Sequence, residues 1–208
     1  MAYRKTPAEM QRLESAREHL VARATDVVAE VGWSGASVTA VAGAAGIAAG
    51  SVYQHFASKS ALAVEVFRRA AGHEVEVLES VLNGAGSPVE RLADGVRVFA
   101  RRALESRGLA HALLAAPADA AVGAERLVFR RRYRAVFAEV IREGMAEGLL
   151  PPQNGEVTAA ALTGAVGEVL VAPLGAGTAE EDDDDQDIVA ELTAMALRCA
   201  GAAPLPRI

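Results

Sequence analysis

Apolar residues recur along the chain at helical spacing, and the alternating Val/Ile/Thr runs that mark strands do not occur. Leu20, Ala24, Val27, Val28 and Val31 form one stripe, ended by Gly32 as a C-cap. Two short helices are predicted over residues 37–45 and 48–55. A longer one starts after its N-cap Ser58, turns Leu62, Val66, Phe67, Val75 and Leu78 inward, and breaks at Asn83-Gly84-Ala85-Gly86. Ser87-Pro88-Val89-Glu90 then places Ser at the N-cap, Pro in the first turn and Glu where it can reach back to the cap. That helix extends to about Ser106 on Val89, Leu92, Val96, Phe99, Ala103 and Leu104. Further helices are predicted over 109–116 and over 119–147, the latter with Leu127, Phe129, Tyr133, Val136, Phe137, Val140 and Ile141 inward. Two more follow over 154–172, capped by Asn154, and over 186–200. Pro117 and Gly148-Leu149-Leu150-Pro151-Pro152 act as stops, and Pro173, Gly175-Ala176-Gly177 and the acidic run that follows form a linker. The expected architecture is all-α with about nine helices: a small N-terminal module over residues 1–72 and a larger helical body over 73–208.

With 51% apolar residues in a chain of 208, there is enough hydrophobic material for a real core, which excludes wholesale disorder. The single cysteine, Cys199, excludes an internal disulfide framework and any multi-cysteine metal site. No metal set and no cofactor motif is read elsewhere. The N-terminal residues lead into Glu9, Arg12 and Glu14 rather than an apolar signal core. The longest apolar stretch, 157–174, is interrupted by Glu168, so no membrane partner is expected and the chain reads as cytoplasmic. The formal net charge of −6 hides an asymmetry: residues 1–72 carry +2 and residues 73–208 carry −8. An acidic chain does not coat nucleic acid along its length, but it can still present one small binding face. The run Glu180-Glu181-Asp182-Asp183-Asp184-Asp185 reads as a solvated loop, lacking the alternation and glycine turn of a calcium site.

Residues 37–56 bring the two short helices together around Gly46, with Ile47 as an apolar plug and Val52 and Phe56 facing inward. Two short helices joined by a glycine turn form a helix-turn-helix, whose second helix enters the DNA major groove. The segment Gly46-Ile47-Ala48-Ala49-Gly50-Ser51-Val52-Tyr53-Gln54-His55-Phe56, followed by Ser58-Lys59-Ser60-Ala61-Leu62, resembles the N-terminal domain of the TetR/AcrR family of transcriptional regulators. The resemblance covers about a quarter of the chain, from about Leu20 to Phe67; the rest matches that family's ligand and dimer domain in layout only.

The resemblance implies a homodimeric transcriptional regulator, most often a repressor, bound to a palindromic double-stranded operator and released by a small-molecule effector. The candidate DNA-binding residues are Ser37, Thr39, Ala49, Gly50, Ser51, Tyr53, Gln54, His55 and Lys59. Gln54 is the side chain able to pair bidentately with adenine, and Tyr53, His55 and Lys59 suit phosphate. Where the family usually has Ser followed by a polar or basic residue, this chain has Ala48 and Ala49, so the reading helix lacks its cap side chain. Tyr3, Arg4 and Lys5 could supply compensating contacts as an N-terminal arm. The alternative is a helix-turn-helix adaptor that binds proteins and no longer binds DNA. For the effector pocket, Phe99, His111, Phe129, Tyr133, Phe137 and Glu168 are candidates. Arg130, Arg131, Arg132 and Arg134 are expected on the surface, paired with Glu125 and Glu139, with one of them able to turn inward to an anion. The small-residue stripe Ala160, Gly164, Gly167 and Val171, with the helix over 186–200, is assigned to a two-fold interface.

Overall fold

The computed structural model describes residues 6–175 and 182–202, and among these residues every regular element is a helix. α1 (Pro7–Gly35), α2 (Val38–Ala44), α3 (Ala49–Val52) and the first half of α4 (Lys59–Leu82) make the N-terminal module. The rest of α4, with α5 (Pro88–Glu105), α6 (Arg107–Leu114), α7 (Ala120–Ala146), α8 (Gly155–Gly175) and α9 (Asp182–Ala200), makes the body.

The helix starts follow the caps. Ser87 and Glu90 form the expected capping box around Pro88. The same arrangement, Thr6-Pro7-Ala8-Glu9, opens α1 more than three turns before its buried stripe begins at Leu20. Side chains of Ser58, Asp119 and Asn154 accept from the backbone N–H groups of Ala61, Val122 and Val157 at 3.0, 2.9 and 3.2 Å. Gly32, at φ +68°, interrupts α1 and turns the chain so that Trp33 enters the core.

Several expectations are corrected. α3 has four residues and not eight: beyond Val52 the backbone closes in tight three-residue bonds, Gln54 N to Ser51 O and His55 N to Val52 O. α8 does not stop before Pro173 but continues to Gly175, anchored by buried Leu174, while Arg107 donates to the Pro173 carbonyl at 3.0 Å. α9 starts inside the acidic run, at Asp182; carboxylates favour a helix N-terminus, and Asp185 receives Arg107 through both oxygens at 2.6 Å. Leu127 is exposed because Phe129, two residues on, already occupies the inward arc, and residues two apart cannot share a helix face. Val31, just before the Gly32 break, and Ile47, in the turn, are also largely exposed.

Two hydrophobic clusters result. One holds Leu20, Val28, Trp33, Val41, Val52, Phe56 and Phe67, and takes in Ala112, Leu113, Val122 and Phe129 from the α6–α7 region. The other holds Leu92, Val96, Ile141, Leu162, Leu170 and Leu192. α4 contributes Phe67, Ala71 and Val75 to the first and Leu78 and Leu82 to the second, so the division expected after residue 72 falls inside a continuous helix.

α6 is fixed on every side. Its first residue, Arg107, ties it to α8 and α9. Gly108 lies against α1 so closely that a Cβ there would stand 2.0 Å from the Ala29 carbonyl oxygen. The buried Trp33 indole N–H donates to the Ala112 carbonyl at 2.8 Å. The Arg126 guanidinium donates to the carbonyls of Leu113, Ala112 and Ala116 at 2.9, 3.1 and 2.8 Å, covering the otherwise unpaired end of the helix.

Candidate DNA-reading face and ligand cavity

The turn between α2 and α3 is built on Gly46, whose φ of +68° an L side chain rarely adopts. The Ile47 N–H then returns to the Ala42 carbonyl at 3.0 Å and closes α2. Buried Val41, Ala42, Val52 and Phe56 hold the two helices against α1 and α4. Arg17 stacks over the Phe56 ring at 4.7 Å and pairs with Glu65 at 3.2 Å, fixing the far side.

This packing leaves Thr39, Gly50, Tyr53, Gln54 and Lys59 exposed, with Tyr53 at 56%. Ala49, Ser51 and His55 are half-buried beside them. Ser37 is exposed, but its hydroxyl accepts from the Ala40 N–H at 3.1 Å, so its first task is to cap α2. Ala48 sits at the N-cap of α3 with no side-chain bond. Tyr3, Arg4 and Lys5 lie outside the described residues.

In the body, α4, α5, α6, α7 and α8 enclose a cavity of about 280 Å³. Its wall is aromatic: Phe67 meets Phe129 edge-on at 5.7 Å, and Phe99 meets Tyr133 edge-on at 5.5 Å. Burial pushes the Tyr133 hydroxyl well above the ordinary phenol range, with Glu74 adding to the effect, so it is a neutral donor. Arg102 holds Glu74 through two bonds at 2.7 and 2.8 Å, an internally compensated pair. Arg126, Arg130 and Glu168 line both the cavity and an open cleft that continues outward over α7.

Of the pocket candidates, Phe99, Phe129, Tyr133 and Glu168 come together at this cavity. His111 and Phe137 do not line it. His111 lies toward the end of α8, near Gly175, and Phe137 is buried in the core of the body. Of the small-residue stripe, Gly164, Gly167 and Val171 line the cavity, and the missing side chains of the two glycines open space for it. The apolar residues that α8 leaves exposed are Val157, at 63%, and Val169, at 48%. By length and composition α8 is also apolar enough to cross a bilayer, with a mean hydropathy of 1.7, yet Ala159, Leu162, Val166, Leu170 and Leu174 bury a full stripe of it.

The arginine run is likewise re-paired. Glu125 binds Arg68 at 2.6 Å and Glu139 binds Arg142, so neither serves the run. Arg132 lies over the Phe129 ring and 3.8 Å from Glu79. Sequence reasoning missed Arg126, Arg102 and Glu74. The signal for Arg126 was present: residues 126, 129, 130 and 133 follow one helix face, and two of its members were already candidates.

Residues 20–66 match the profile of "Bacterial regulatory proteins, tetR family", and residues 85–171 match that of "Tetracyclin repressor-like, C-terminal domain". The HTH-type transcriptional repressor KstR2 of Mycolicibacterium smegmatis is 29% identical over 145 residues, which is 66% of this chain and 69% of that protein. Among solved structures, the fatty acid degradation regulator FadR from Bacillus halodurans superposes with a TM-score of 0.73 at 21% identity, covering 86% of this chain and 97% of that one. FadR from Bacillus subtilis in complex with stearoyl-CoA gives 0.73 at 18% identity, covering 90% and 99%.

Proposed function

Since the chain belongs to the tetR family of bacterial regulatory proteins, we propose that it is a transcriptional repressor that a small-molecule effector releases from DNA. One observation carries the reading: the helix-turn-helix leaves Thr39, Gly50, Tyr53, Gln54 and Lys59 exposed at a module packed directly on α6, which caps a ligand-sized cavity. Residues 1–72 act as the DNA-binding unit and 73–208 as the effector and dimer unit. Gln54 reads a base edge, Tyr53 and Lys59 hold phosphate, and Ala49, Gly50 and Ser51 let the backbone approach. The protein acts as a homodimer through α8 and α9, with the second copy covering apolar side chains that one chain leaves exposed, such as Val169. The two copies place their reading helices about 34–36 Å apart, matching half-sites one turn apart in a palindrome.

The effector works by population shift. It occupies the cavity only in the arrangement whose helix spacing does not match the operator, so its binding free energy opposes DNA binding. In support, KstR2 is a transcriptional repressor, and FadR, which shares the fold, has been solved in complex with stearoyl-CoA. Selection from a random duplex pool at moderate salt tests the reading. Enrichment of a palindrome, with affinity falling steeply as salt rises, is the expected result. A folded protein with no enrichment and no salt-sensitive duplex binding would overturn it in favour of an adaptor.

A further inference from the structure

The charges around the cavity are unevenly matched. Arg102 and Glu74 cancel each other. Arg126 and Arg130 stand one helical turn apart on α7, and both line the cavity and the outer cleft. Neither guanidinium has a carboxylate partner among the described residues. Arg126 bonds only backbone carbonyls, and Arg130 has no hydrogen bond or ion pair. Glu168 faces them across the mouth without an ion pair to either. The Arg126 guanidinium is half-buried, and both its burial and the Arg130 charge act against its positive form. Arg126 is the part-buried member of the pair and Arg130 is exposed at the mouth, so an anion that enters between them meets two like charges, one of which is costly until it is matched.

We infer that the effector is a small organic anion, its apolar part against Phe67, Phe99, Phe129 and Tyr133 and its head group held by Arg126 and Arg130 at the cavity mouth. This rests on the effector reading above and narrows it to a chemical class. A volume of about 280 Å³ lies at the low end for ligand sites, which favours one ring system or a short chain. The neutral Tyr133 hydroxyl, which has no hydrogen bond among the described residues, supplies a further donor inside. Arg126 also gives the anion a route to α6. A guanidinium drawn toward a head group loosens its hold on the Ala112, Leu113 and Ala116 carbonyls, and Ala112 is the residue that Trp33 grips from the DNA-binding side.

Titration calorimetry with 1-naphthoate, 1-naphthyl phosphate and the uncharged 1-naphthamide tests the inference on the full-length protein. The carboxylate is expected to bind about tenfold or more tightly than the amide, as a charge-assisted contact requires. Arg130→Gln should erase most of that gap while leaving amide binding unchanged, and Arg130→Lys should keep part of it. The phosphate binding more tightly than the carboxylate would assign a phosphorylated head group, and the reverse a carboxylate; both support an anionic effector. Equal binding of acid and amide to the wild-type protein would overturn the anion while leaving the cavity a ligand site. A gap that survives Arg130→Gln would overturn the assigned residues. Failure of all three probes to bind would remove the ligand-site reading and this inference with it.

Discussion

Gly108→Ala adds one methyl group at the joint between α6 and α1, and the structure sets the size of the effect. The new Cβ would stand 2.0 Å from the Ala29 carbonyl oxygen and 3.0 Å from its carbon. Ordinary contact needs more than 3.0 Å, so the two helices must part by about 1 Å. The obstacle is backbone and cannot rotate away, unlike the Leu82 side chain that a Cβ on Gly95 would meet. Overpacking of this kind costs about 1–3 kcal/mol, reduced by the better helix propensity of alanine, which is worth up to about 1 kcal/mol. For a chain of this size each kcal/mol lowers Tm by about 2–4 °C, so the expected fall is up to about 8 °C against the wild type and about 2–12 °C against an alanine control that carries the same propensity gain. Gly123→Ala is the control: nothing lies within 4 Å of its Cβ, and the variant should match or exceed the wild-type Tm. Thermal unfolding followed by far-ultraviolet circular dichroism, with both variants at one protein concentration so that any self-association acts equally, reads both. A Gly108→Ala protein as stable as the Gly123→Ala control would refute the close approach of α1 and α6.

Three further outcomes follow from the same structure. Ser87→Ala breaks the capping box of α5 and should cost about 1 kcal/mol, measured by urea unfolding with an unchanged m-value. The Val122 N–H, with help from the Ser60 hydroxyl, the Ala121 N–H and Lys59, holds the Asp119 carboxyl below its ordinary range. Folding therefore favours its ionised form. That stability is complete above the unfolded pKa of about 4 and is lost as pH falls through the lower folded value. Asp119→Asn keeps a capping oxygen but does not titrate, so its stability should decline less steeply than the wild type below about pH 4; parallel curves would count against the assignment. Trp33→Phe removes the buried donor to Ala112 but leaves that carbonyl its bond from Arg126, so the hydrogen bond itself accounts for about 1 kcal/mol of the loss and the smaller ring for the rest, about 2–3 kcal/mol in all by chemical denaturation.

Much of this fold was legible because caps and periodicity agree. Ser87-Pro88-Val89-Glu90 announced α5 to the residue. Thr6-Pro7-Ala8-Glu9 is the same signal and announces α1, yet it precedes a stretch with no buried stripe, so periodicity gave it no support. An acidic run reads equally as a solvated loop and as a good helix start, and α9 begins within it at Asp182. Arg107, some 78 residues earlier in the chain, pairs with Asp185 in the first turns of α9, and no local rule reveals that partner. Half of the cavity was legible for a related reason. Aromatic residues on an inward face, such as Phe99 and Tyr133, announce an apolar space. Whether Phe137 lines that space or fills the neighbouring core depends on how neighbouring helices cross. Gly164 and Gly167 were read for the helix they would admit; within one chain their missing side chains also leave room at the cavity, which the spacing alone does not reveal.

Trp33 is the sole tryptophan in the chain, so the protein carries a built-in optical gauge at the joint between α1 and α6. Its indole is buried, 6.3 Å from Phe67 and bonded to the backbone of α6. Emission colour and quenching therefore report on how firmly the two halves are clasped, with no dye attached and no operator sequence known. Any compound that loosens the clasp changes the light the protein emits, and one that fills the cavity without touching the clasp leaves it dark to the detector. A library can thus be searched for compounds that loosen the clasp before the first target gene is found.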